Sequence, residues 1–267
     1  MIIDCFPFFN ELDLLEIRLN ILDDVVDKFV LVEAGHTQTL LTKPFYYEQN
    51  QERFEDFSDK IVHIKIDDHP AKGGWEMENY QRNCIKLGLH SITPDPNDIV
   101  VCSDVDEIWN PKVAPFLDEG LSQTEFFAAK MAYFVFFLNL ETVDKTWIGS
   151  VFTRAKSIEG KDIQHMRNIK DHVPFADGGG WHLGYQGGRE KVWEKFLSCI
   201  EPIDKSLLPT KEKFFEEFES RIKDDGSFIY SDNLLDKSVK LRKVEKESRL
   251  PEYLQENKNL YPNLFLP

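Results

Sequence analysis

The chain has 267 residues, of which 42% are hydrophobic and 13% aromatic, so it carries enough apolar surface to fold, and global disorder is excluded. Its formal net charge of -15 argues against a protein that binds the phosphate backbone of nucleic acids, because that affinity depends on Lys and Arg. An acidic protein that handles phosphates needs a cation.

The cysteines stand singly along the chain, without a C-x-x-C pair or the spacing of a disulfide framework. They are Cys5, Cys84, Cys102 and Cys199. Cys5 and Cys102 lie inside apolar, strand-like runs, which predicts small buried thiols in a reducing compartment rather than metal ligands or catalytic groups. The N-terminus has no basic segment followed by a long apolar one, and no run reaches the ~18 apolar residues of a membrane helix. We therefore expect a soluble, cytoplasmic protein without a membrane span.

Short apolar segments alternate with amphipathic segments over the first hundred residues. The predicted strands are Ile2–Phe6, Phe29–Val32, Ile61–Ile66 and Asp98–Cys102. The predicted helices are one that begins after Asn10 as its N-cap and one over Trp75–Leu89. Alternating strands and helices predict an α/β fold with a mostly parallel sheet flanked by helices. Such sheets bind ligands at the carboxyl ends of their strands.

The second half of the chain predicts further strands and then helices. Residues 126–140 predict one or two strands, and residues 147–154 predict another. Beyond Gly188, residues 189–199 and 210–224 have the pattern of amphipathic helices. We expect one domain over residues 1–200 and a helical C-terminal extension over residues 201–267 that packs on it.

An acidic motif, Ser103-Asp104-Val105-Asp106-Glu107, directly follows the fourth predicted strand. Carboxylates at positions i and i+2 of an extended turn can share one hard divalent cation and leave coordination positions for phosphate oxygens. Such a cation stabilises a departing diphosphate. Ile108 and Trp109 do not continue an EF-hand loop, and Ile108 also excludes a phosphatase-type D-x-D-x-T motif. The sequence therefore predicts a divalent cation at Asp104 and Asp106.

Five motifs then point to a known family. They are Asp4–Glu11, Val26–Glu33, Trp75–Asn83, Ser103–Ile108 and Gly180–His182. In these residues and in their order the chain resembles glycosyltransferase family 17. The resemblance implies a GT-A-like (Rossmann-like) fold, a UDP-sugar donor, Mn²⁺ or Mg²⁺, and inversion at the anomeric carbon. The transferred sugar would be N-acetylglucosamine or another hexose, and the acceptor a glycan. The C-terminal third matches the family loosely, so the acceptor cannot be carried over.

The resemblance also suggests which residues contact the donor. Glu33 and Thr37 would lie near the nucleoside at the end of the second strand, and the alternative for Glu33 is a solvated acid. Arg82 would reach a phosphate, unless it forms a salt bridge on a helix surface. Arg167, in a polar stretch predicted as a loop, is a second candidate for the same role. Asp104 would contact the donor through the cation.

His182 is the candidate for a third metal ligand, because GT-A enzymes often place a His near the end of the core. The alternative is a buried structural histidine. Trp181 and Tyr185 beside it can either stack on a sugar or belong to the core.

The resemblance to inverting GT-A enzymes implies a catalytic base at the start of a helix that follows a Gly-rich turn. Gly187-Gly188-Arg189-Glu190 fits this description and makes Glu190 the first candidate. The alternative is an ordinary acidic residue in a first helical turn. Asp177, before the glycine run, is the second candidate, and Glu107 is the third.

Two other functions remain open from the sequence. A metal-dependent nucleotidyltransferase would also use clustered acids on an α/β sheet, but it would release pyrophosphate. A catalytically silent carbohydrate-binding domain would have no need to keep Asp104 and Asp106.

Overall fold

The computed structural model describes residues 1–70, 72–198, 210–223, 228–229, 240–244 and 249–266. The chain divides into two compact units, one of Met1–Met131 with Ile148–Gly180 and the other of Ala132–Trp147 with Trp181–Pro267. The division therefore falls at other positions than residue 200, and the predicted domain boundary stays a prediction.

The first unit contains a mixed β-sheet. In chain order its strands are β1 (Ile2–Phe8), β2 (Lys28–Ala34), β3 (Ile61–Ile66), β4 (Ile99–Cys102), β5 (Glu107–Trp109), β6 (Phe126–Val135), β7 (Leu140–Arg154) and β8 (Phe175–Gly184). Their order in the sheet is β3-β2-β1-β4-β7-β6-β8-β5. Strands β1 to β4 pair in parallel, and β7 is antiparallel to β4. The boundary between the units falls within β6, β7 and β8.

The α-helices of the first unit lie between these strands. They are α1 (Leu12–Leu22), α2 (Tyr46–Gln49), α3 (Trp75–Asn83), α4 (Ile85–Ile92), α5 (Leu117–Gln123), α6 (Ala155–Ile158) and α7 (Ile163–Ile169). Short 3₁₀ helices cover Gln51–Phe57, Pro111–Phe116 and Lys170–His172. Parallel strands alternating with helices confirm the predicted GT-A-like α/β fold.

Helices predominate in the described part of the second unit, as predicted for the C-terminal tail. They are α8 (Gly188–Ser198), α9 (Lys211–Ser220) and α10 (Glu252–Glu256), with 3₁₀ helices at Lys258–Leu260 and Pro262–Leu264. The tail also contains strands that the sequence did not predict, β9 (Phe228–Ile229) and β10 (Lys240–Lys243). Strand β10 pairs antiparallel with the first residues of β7. Residue 224, the predicted end of one helix, lies outside the described residues.

Three local predictions were wrong. Helix α1 has Glu11 rather than Asn10 as its N-cap, and the Glu11 carboxylate accepts the backbone N–H groups of Phe9 and Asn10. The single helix predicted over 75–89 is two, because Cys84 has a ψ of -8° and ends α3. Arg167 lies in α7 and not in a loop.

The sheet of the first unit is packed tightly against α4. A Cβ atom on Gly88 would lie 2.4 Å from a methyl group of Val30 in β2, so only glycine fits there. Cys5 and Cys102 are buried and free, as predicted, and Cys84 is buried and free as well. Burial raises the pKa of Cys102 to about 12. Cys199 lies outside the described residues. No helix in the described ranges has the length and apolar character needed to cross a membrane.

A fully buried ion pair joins β1 to α1 in the first unit. Asp4 interrupts the apolar sequence of β1, Arg18 lies on the buried face of α1, and both side chains are inaccessible to solvent. Arg18 Nε donates to Asp4 Oδ2 at 2.7 Å, and Nη2 donates to Asp4 Oδ1 at 2.8 Å. The indole N–H of Trp109 donates to the same carboxylate at 3.3 Å. Buried charges are tolerated when they are paired and hydrogen-bonded in this way.

We predict that Arg18→Met lowers the free energy of unfolding by about 3–5 kcal/mol, because it leaves the Asp4 carboxylate buried without its partner. The matched control is Arg53→Met, which removes an arginine paired at the surface with Asp13 and Glu16 and should cost at most about 1 kcal/mol. Urea denaturation measures the free energy of unfolding of both variants, and the comparison holds when their m-values equal that of the wild type. Equal losses in the two variants would contradict a dominant role for the buried pair.

Candidate active site

The acidic turn begins where β4 ends, and Arg18 fixes its backbone. Arg18 Nη1 donates to the carbonyl oxygens of Asp104 at 3.0 Å, Val105 at 3.2 Å and Glu107 at 3.0 Å. Arg18 Nη2 also donates to the Ser103 hydroxyl at 2.6 Å. Since one buried guanidinium holds several carbonyl groups, the turn is shaped by the protein before any ligand arrives.

A glycine lets the neighbouring strand approach this region closely. Gly180 in β8 has a φ of 153°, and a Cβ atom there would lie 2.3 Å from the carbonyl oxygen of Ile108 in β5. At Gly180 the glycine run therefore allows strand packing directly after the acidic turn.

Two arginines pair with the Asp104 carboxylate. Arg82 Nη1 lies 2.7 Å from Asp104 Oδ1, and Arg167 Nη2 lies 2.9 Å from Asp104 Oδ2. Arg167 Nη1 also forms an ion pair with Glu107. The structure thus brings together three residues that the sequence proposed separately, Arg82, Asp104 and Arg167. We call these three residues the arginine–aspartate cluster.

Helix α3 holds Arg82 in place and also anchors α7. Arg82 Nη2 pairs with Glu78, one helical turn earlier, at 2.9 Å, and Nε donates to Gln164 of α7 at 2.8 Å. The Asn83 side chain accepts the backbone N–H of Ile163, the first residue of α7, at 2.8 Å. These contacts place Arg167, three residues after Gln164, over the acidic turn.

The electrostatics of the cluster favour charged arginines. Burial by itself would lower the pKa of Arg82, but Asp104 and the other acidic groups around it outweigh burial, and the pKa is raised. The same balance of burial against Asp104 and Glu107 raises the pKa of Arg167. The cluster therefore presents two permanent positive charges beside a carboxylate, which is suited to binding an anion such as a phosphate.

The other two acids of the turn are buried. Glu107 is inaccessible to solvent, accepts the backbone N–H of Asp104 at 3.1 Å and pairs with Arg167. Asp106 is also buried. As the third candidate for the base, Glu107 would have to give up its pairing with Arg167 to accept a proton.

A cation held by the carboxylates of the turn would need further ligands from its substrate. A magnesium-type site needs one or two carboxylates when phosphates and water supply the remaining oxygens. The described ranges contain no group of three or more His, Cys, Asp or Glu side chains arranged to hold a metal by themselves. The cation predicted at Asp104 and Asp106 stays a prediction.

Glu33 is the centre of a separate buried network at the end of β2. Its carboxylate accepts the backbone N–H groups of Tyr46 and Tyr47. It also contacts Lys43 Nζ at 3.4 Å and His63 Nε2 at 3.1 Å. A ribose hydroxyl would have to replace one of these donors, and the solvated acid that the sequence left as the alternative is not observed.

Thr37 helps to shape the loop after β2. Its hydroxyl accepts the backbone N–H of Leu41 at 3.1 Å and contacts the Thr39 hydroxyl at 2.9 Å. The next residue, Gln38, donates to Glu78 at 3.3 Å, so this loop is joined to the helix that carries Arg82. The predicted nucleoside contact of Thr37 stays a prediction.

His182 belongs to the second unit and is enclosed by aromatic rings. The Tyr133 ring is stacked on it with a centroid distance of 4.5 Å and an interplanar angle of 12°, and the Trp147 ring lies at 4.4 Å. His182 is 8% exposed. This packing fixes the plane of the imidazole. A fixed ring plane is compatible with both roles, that of a structural residue and that of a metal ligand. Tyr185 is buried among aromatic residues, and Trp181 donates its indole N–H to the Arg249 carbonyl at 2.8 Å.

The two first candidates for the base lie in different units and are both exposed. Glu190 is in the first turn of α8 after Gly187 and Gly188, whose φ values are 102° and 73°, so the predicted glycine turn and helix start are present. Its side chain is 62% exposed and pairs with Lys211 at 2.9 Å. Asp177 in β8 is 79% exposed and pairs with Lys130. Both carboxylates are therefore largely open to solvent, and the assignment of the base stays a prediction.

Sequence reasoning missed the residues that hold the site together. Arg18 and Asp4 shape the turn, while Asn83 and Gln164 join α3 to α7. A signal existed for the first pair, because an acid within an apolar strand and an arginine on an apolar helix face predict a buried ion pair. Asn83 and Gln164 carry no comparable signal.

The sequence of this chain is similar to known glycosyltransferases. The model of "Glycosyltransferase family 17" matches residues 1–188. The rat (Rattus norvegicus) beta-1,4-mannosyl-glycoprotein 4-beta-N-acetylglucosaminyltransferase is 29% identical over 116 residues, which are 40% of this chain and 21% of the relative. The human (Homo sapiens) protein of the same name is 31% identical over 108 residues, which are 37% of this chain and 20% of the relative. Each match thus spans about a fifth of the relative's length.

A solved structure with a similar fold is S. aureus TarS 1-349 in complex with UDP-GlcNAc. It is 14% identical, with a TM-score of 0.44, over 82% of this chain and 71% of that chain. A likeness at this level adds no detail about the site. The family model, in contrast, covers well over half of the sequence, and the chain belongs to glycosyltransferase family 17.

Proposed function

We propose that this chain is an inverting glycosyltransferase that moves a sugar, N-acetylglucosamine or another hexose, from a UDP-sugar to a glycan acceptor. The observation that carries the proposal is the arginine–aspartate cluster at the carboxyl end of β4. Open α/β sheets bind their ligands at this edge, and a diphosphate is a ligand that both arginines and a carboxylate-bound cation recognise. Membership of family 17 supports the same reaction.

The residues of the site would divide the work. Asp104 and Asp106 would hold Mn²⁺ or Mg²⁺, and His182 is the proposed further ligand. The cation would act as a Lewis acid on the diphosphate leaving group. Arg82 and Arg167 would add positive charge on the same phosphates. A carboxylate outside the cluster would accept the proton of the acceptor hydroxyl.

The phosphate product distinguishes this proposal from a nucleotidyltransferase. A glycosyltransferase incubated with UDP-sugar, Mn²⁺ and a glycan acceptor releases UDP, whereas a nucleotidyltransferase supplied with a nucleoside triphosphate and a sugar phosphate releases pyrophosphate. We expect UDP and no pyrophosphate. If neither product forms with any nucleotide sugar, the silent carbohydrate-binding domain becomes the better explanation.

We predict that Asp106→Asn removes Mn²⁺-supported binding of UDP while the protein stays folded. The amide keeps the shape of the side chain but loses the charge that holds a hard cation. Asp104→Asn should have a similar or milder effect. The matched control is Asp118→Asn, an exposed acid paired with Arg154. Calorimetric titration of UDP in Mn²⁺ measures the change, and unaltered affinity in both site variants would refute the metal assignment.

His182→Ala separates a metal ligand from a packing residue. We predict a larger loss of affinity for Mn²⁺ than for Mg²⁺, because a neutral imidazole suits Mn²⁺ better. Tyr133→Leu serves as the control, since it disturbs the same ring stack without removing an imidazole. A large fall in melting temperature with unchanged metal affinity in His182→Ala would assign the residue to packing alone.

The catalytic base is tested by comparing two isosteric variants. We expect Glu190→Gln to bind UDP-sugar normally and to lose roughly 10²- to 10⁴-fold in turnover, the usual effect of removing a base. Asp177→Asn is the comparison, because both acids are exposed and paired with a lysine. If Glu190→Gln transfers within about threefold of wild type while Asp177→Asn is inactive, the base is Asp177.

A further inference from the structure

The arginine–aspartate cluster poses a problem for any ligand of Asp104. Each oxygen of the Asp104 carboxylate already forms an ion pair with a guanidinium. Arg82 Nη1 lies 2.7 Å from Oδ1, and Arg167 Nη2 lies 2.9 Å from Oδ2. A cation that approached this carboxylate would meet two positive charges at close range. Like charges repel strongly where burial reduces screening. Direct coordination by Asp104 is therefore opposed as long as both guanidiniums stay in place.

We propose that Arg167 occupies Asp104 in the nucleotide-free protein and leaves it for the diphosphate when nucleotide and divalent cation bind together. Arg167 is then a positioning residue that couples the two ligands. The inference rests on the proposed function, because it presumes that a nucleoside diphosphate and a cation share this site.

Burial decides which of the two arginines moves. The Arg82 side chain is 1% exposed, and Glu78 and Gln164 hold two of its nitrogen atoms besides the one on Asp104. The Arg167 side chain is 19% exposed, so solvent and an incoming ligand can reach it. Moving Arg82 would also disturb the contact that joins α3 to α7. Moving Arg167 leaves that contact and the Asn83 cap of α7 intact.

A released Arg167 needs a new anionic partner. It keeps Glu107 but loses Asp104, the second of its two carboxylate partners, in a place where only 19% of the side chain is exposed. A diphosphate supplies the replacement, because a guanidinium binds phosphate oxygens in bidentate fashion. A cation without nucleotide offers no such compensation. Cation binding alone should therefore be weak, and nucleotide should strengthen it.

The coupling must be reciprocal. If UDP raises the affinity for the cation by some factor, the cation raises the affinity for UDP by the same factor, and couplings between ligands are typically about 5- to 150-fold. In the wild-type protein we expect a coupling in this range. Removing Arg167 removes the competitor for Asp104, so the cation should bind more tightly in the absence of nucleotide.

The test is calorimetric titration of the full chain with Mn²⁺, with and without UDP. Arg167→Gln should bind Mn²⁺ alone at least about fivefold more tightly than wild type, and UDP should then strengthen Mn²⁺ binding less than in wild type. UDP should also bind this variant more weakly in saturating Mn²⁺. Melting temperatures show whether the variant is folded. If it is not, Arg167→Lys takes its place, because a single ammonium cannot bridge Asp104 and Glu107 as the guanidinium does.

Two controls separate displacement from a general change of charge. Lys170→Gln removes a positive charge one helical turn from Arg167, and Arg154→Gln removes an arginine whose side chain is equally exposed and paired with Asp118. Both should change the affinity for Mn²⁺ alone less than Arg167→Gln does. If Lys170→Gln and Arg167→Gln change the affinity for Mn²⁺ equally, the loss of one positive charge explains the result, and the inference is overturned.

The remaining outcomes distinguish the inference from the proposed function. Mn²⁺-dependent UDP binding in wild type, with unchanged affinity for Mn²⁺ alone in Arg167→Gln, would overturn the displacement of Arg167 and leave the proposed function standing. UDP binding that EDTA does not alter, or no UDP binding at all, would overturn the metal–nucleotide site itself and the inference with it.

Discussion

The buried guanidinium of Arg18 is the contact on which the candidate site depends. It neutralises Asp4 inside the first unit and at the same time binds the carbonyl groups of the acidic turn. A charge buried this completely is stable only when its partners stay in place, so the pair ties the shape of the turn to the packing of α1 on β1. The position of Asp104 is therefore set by the interior of the protein, although the Asp104 side chain is itself accessible.

A second layer of charge surrounds that turn. Arg82 and Arg167 come from helices far apart in sequence and pair with one carboxylate, and Asn83 and Gln164 hold those helices together. Two guanidiniums held close to one carboxylate concentrate positive charge at a place where an anion can bind. The same two charges restrain Asp104 from binding a cation unaided. Under the proposed displacement of Arg167, the cation and the diphosphate would bind more tightly together than separately.

The sequence predicted the parts of this structure that depend on local patterns. Strands β1 to β4, their parallel arrangement and the acidic turn after β4 follow from apolar runs and their spacing, because each run must be buried. The break at Cys84 and the strands β9 and β10 were missed, since tertiary packing decides them. The ion pairs of Arg82 and Arg167 with Asp104 could not be predicted either. The sequence shows which residues are charged, but only the folded structure shows which of them pair. The same is true of Glu33, because its position at the end of a strand does not show which hydrogen-bond donors surround its carboxylate in the folded protein.

The most direct test of this account is a crystal structure of the protein with UDP and Mn²⁺, in which anomalous scattering locates the manganese. The account predicts a manganese peak in coordination contact with Asp104 or Asp106 and with the diphosphate, while the Arg167 guanidinium has left Asp104 and contacts a phosphate oxygen. A diphosphate bound at another edge of the sheet, or manganese bound with UDP away from both aspartates, would contradict it.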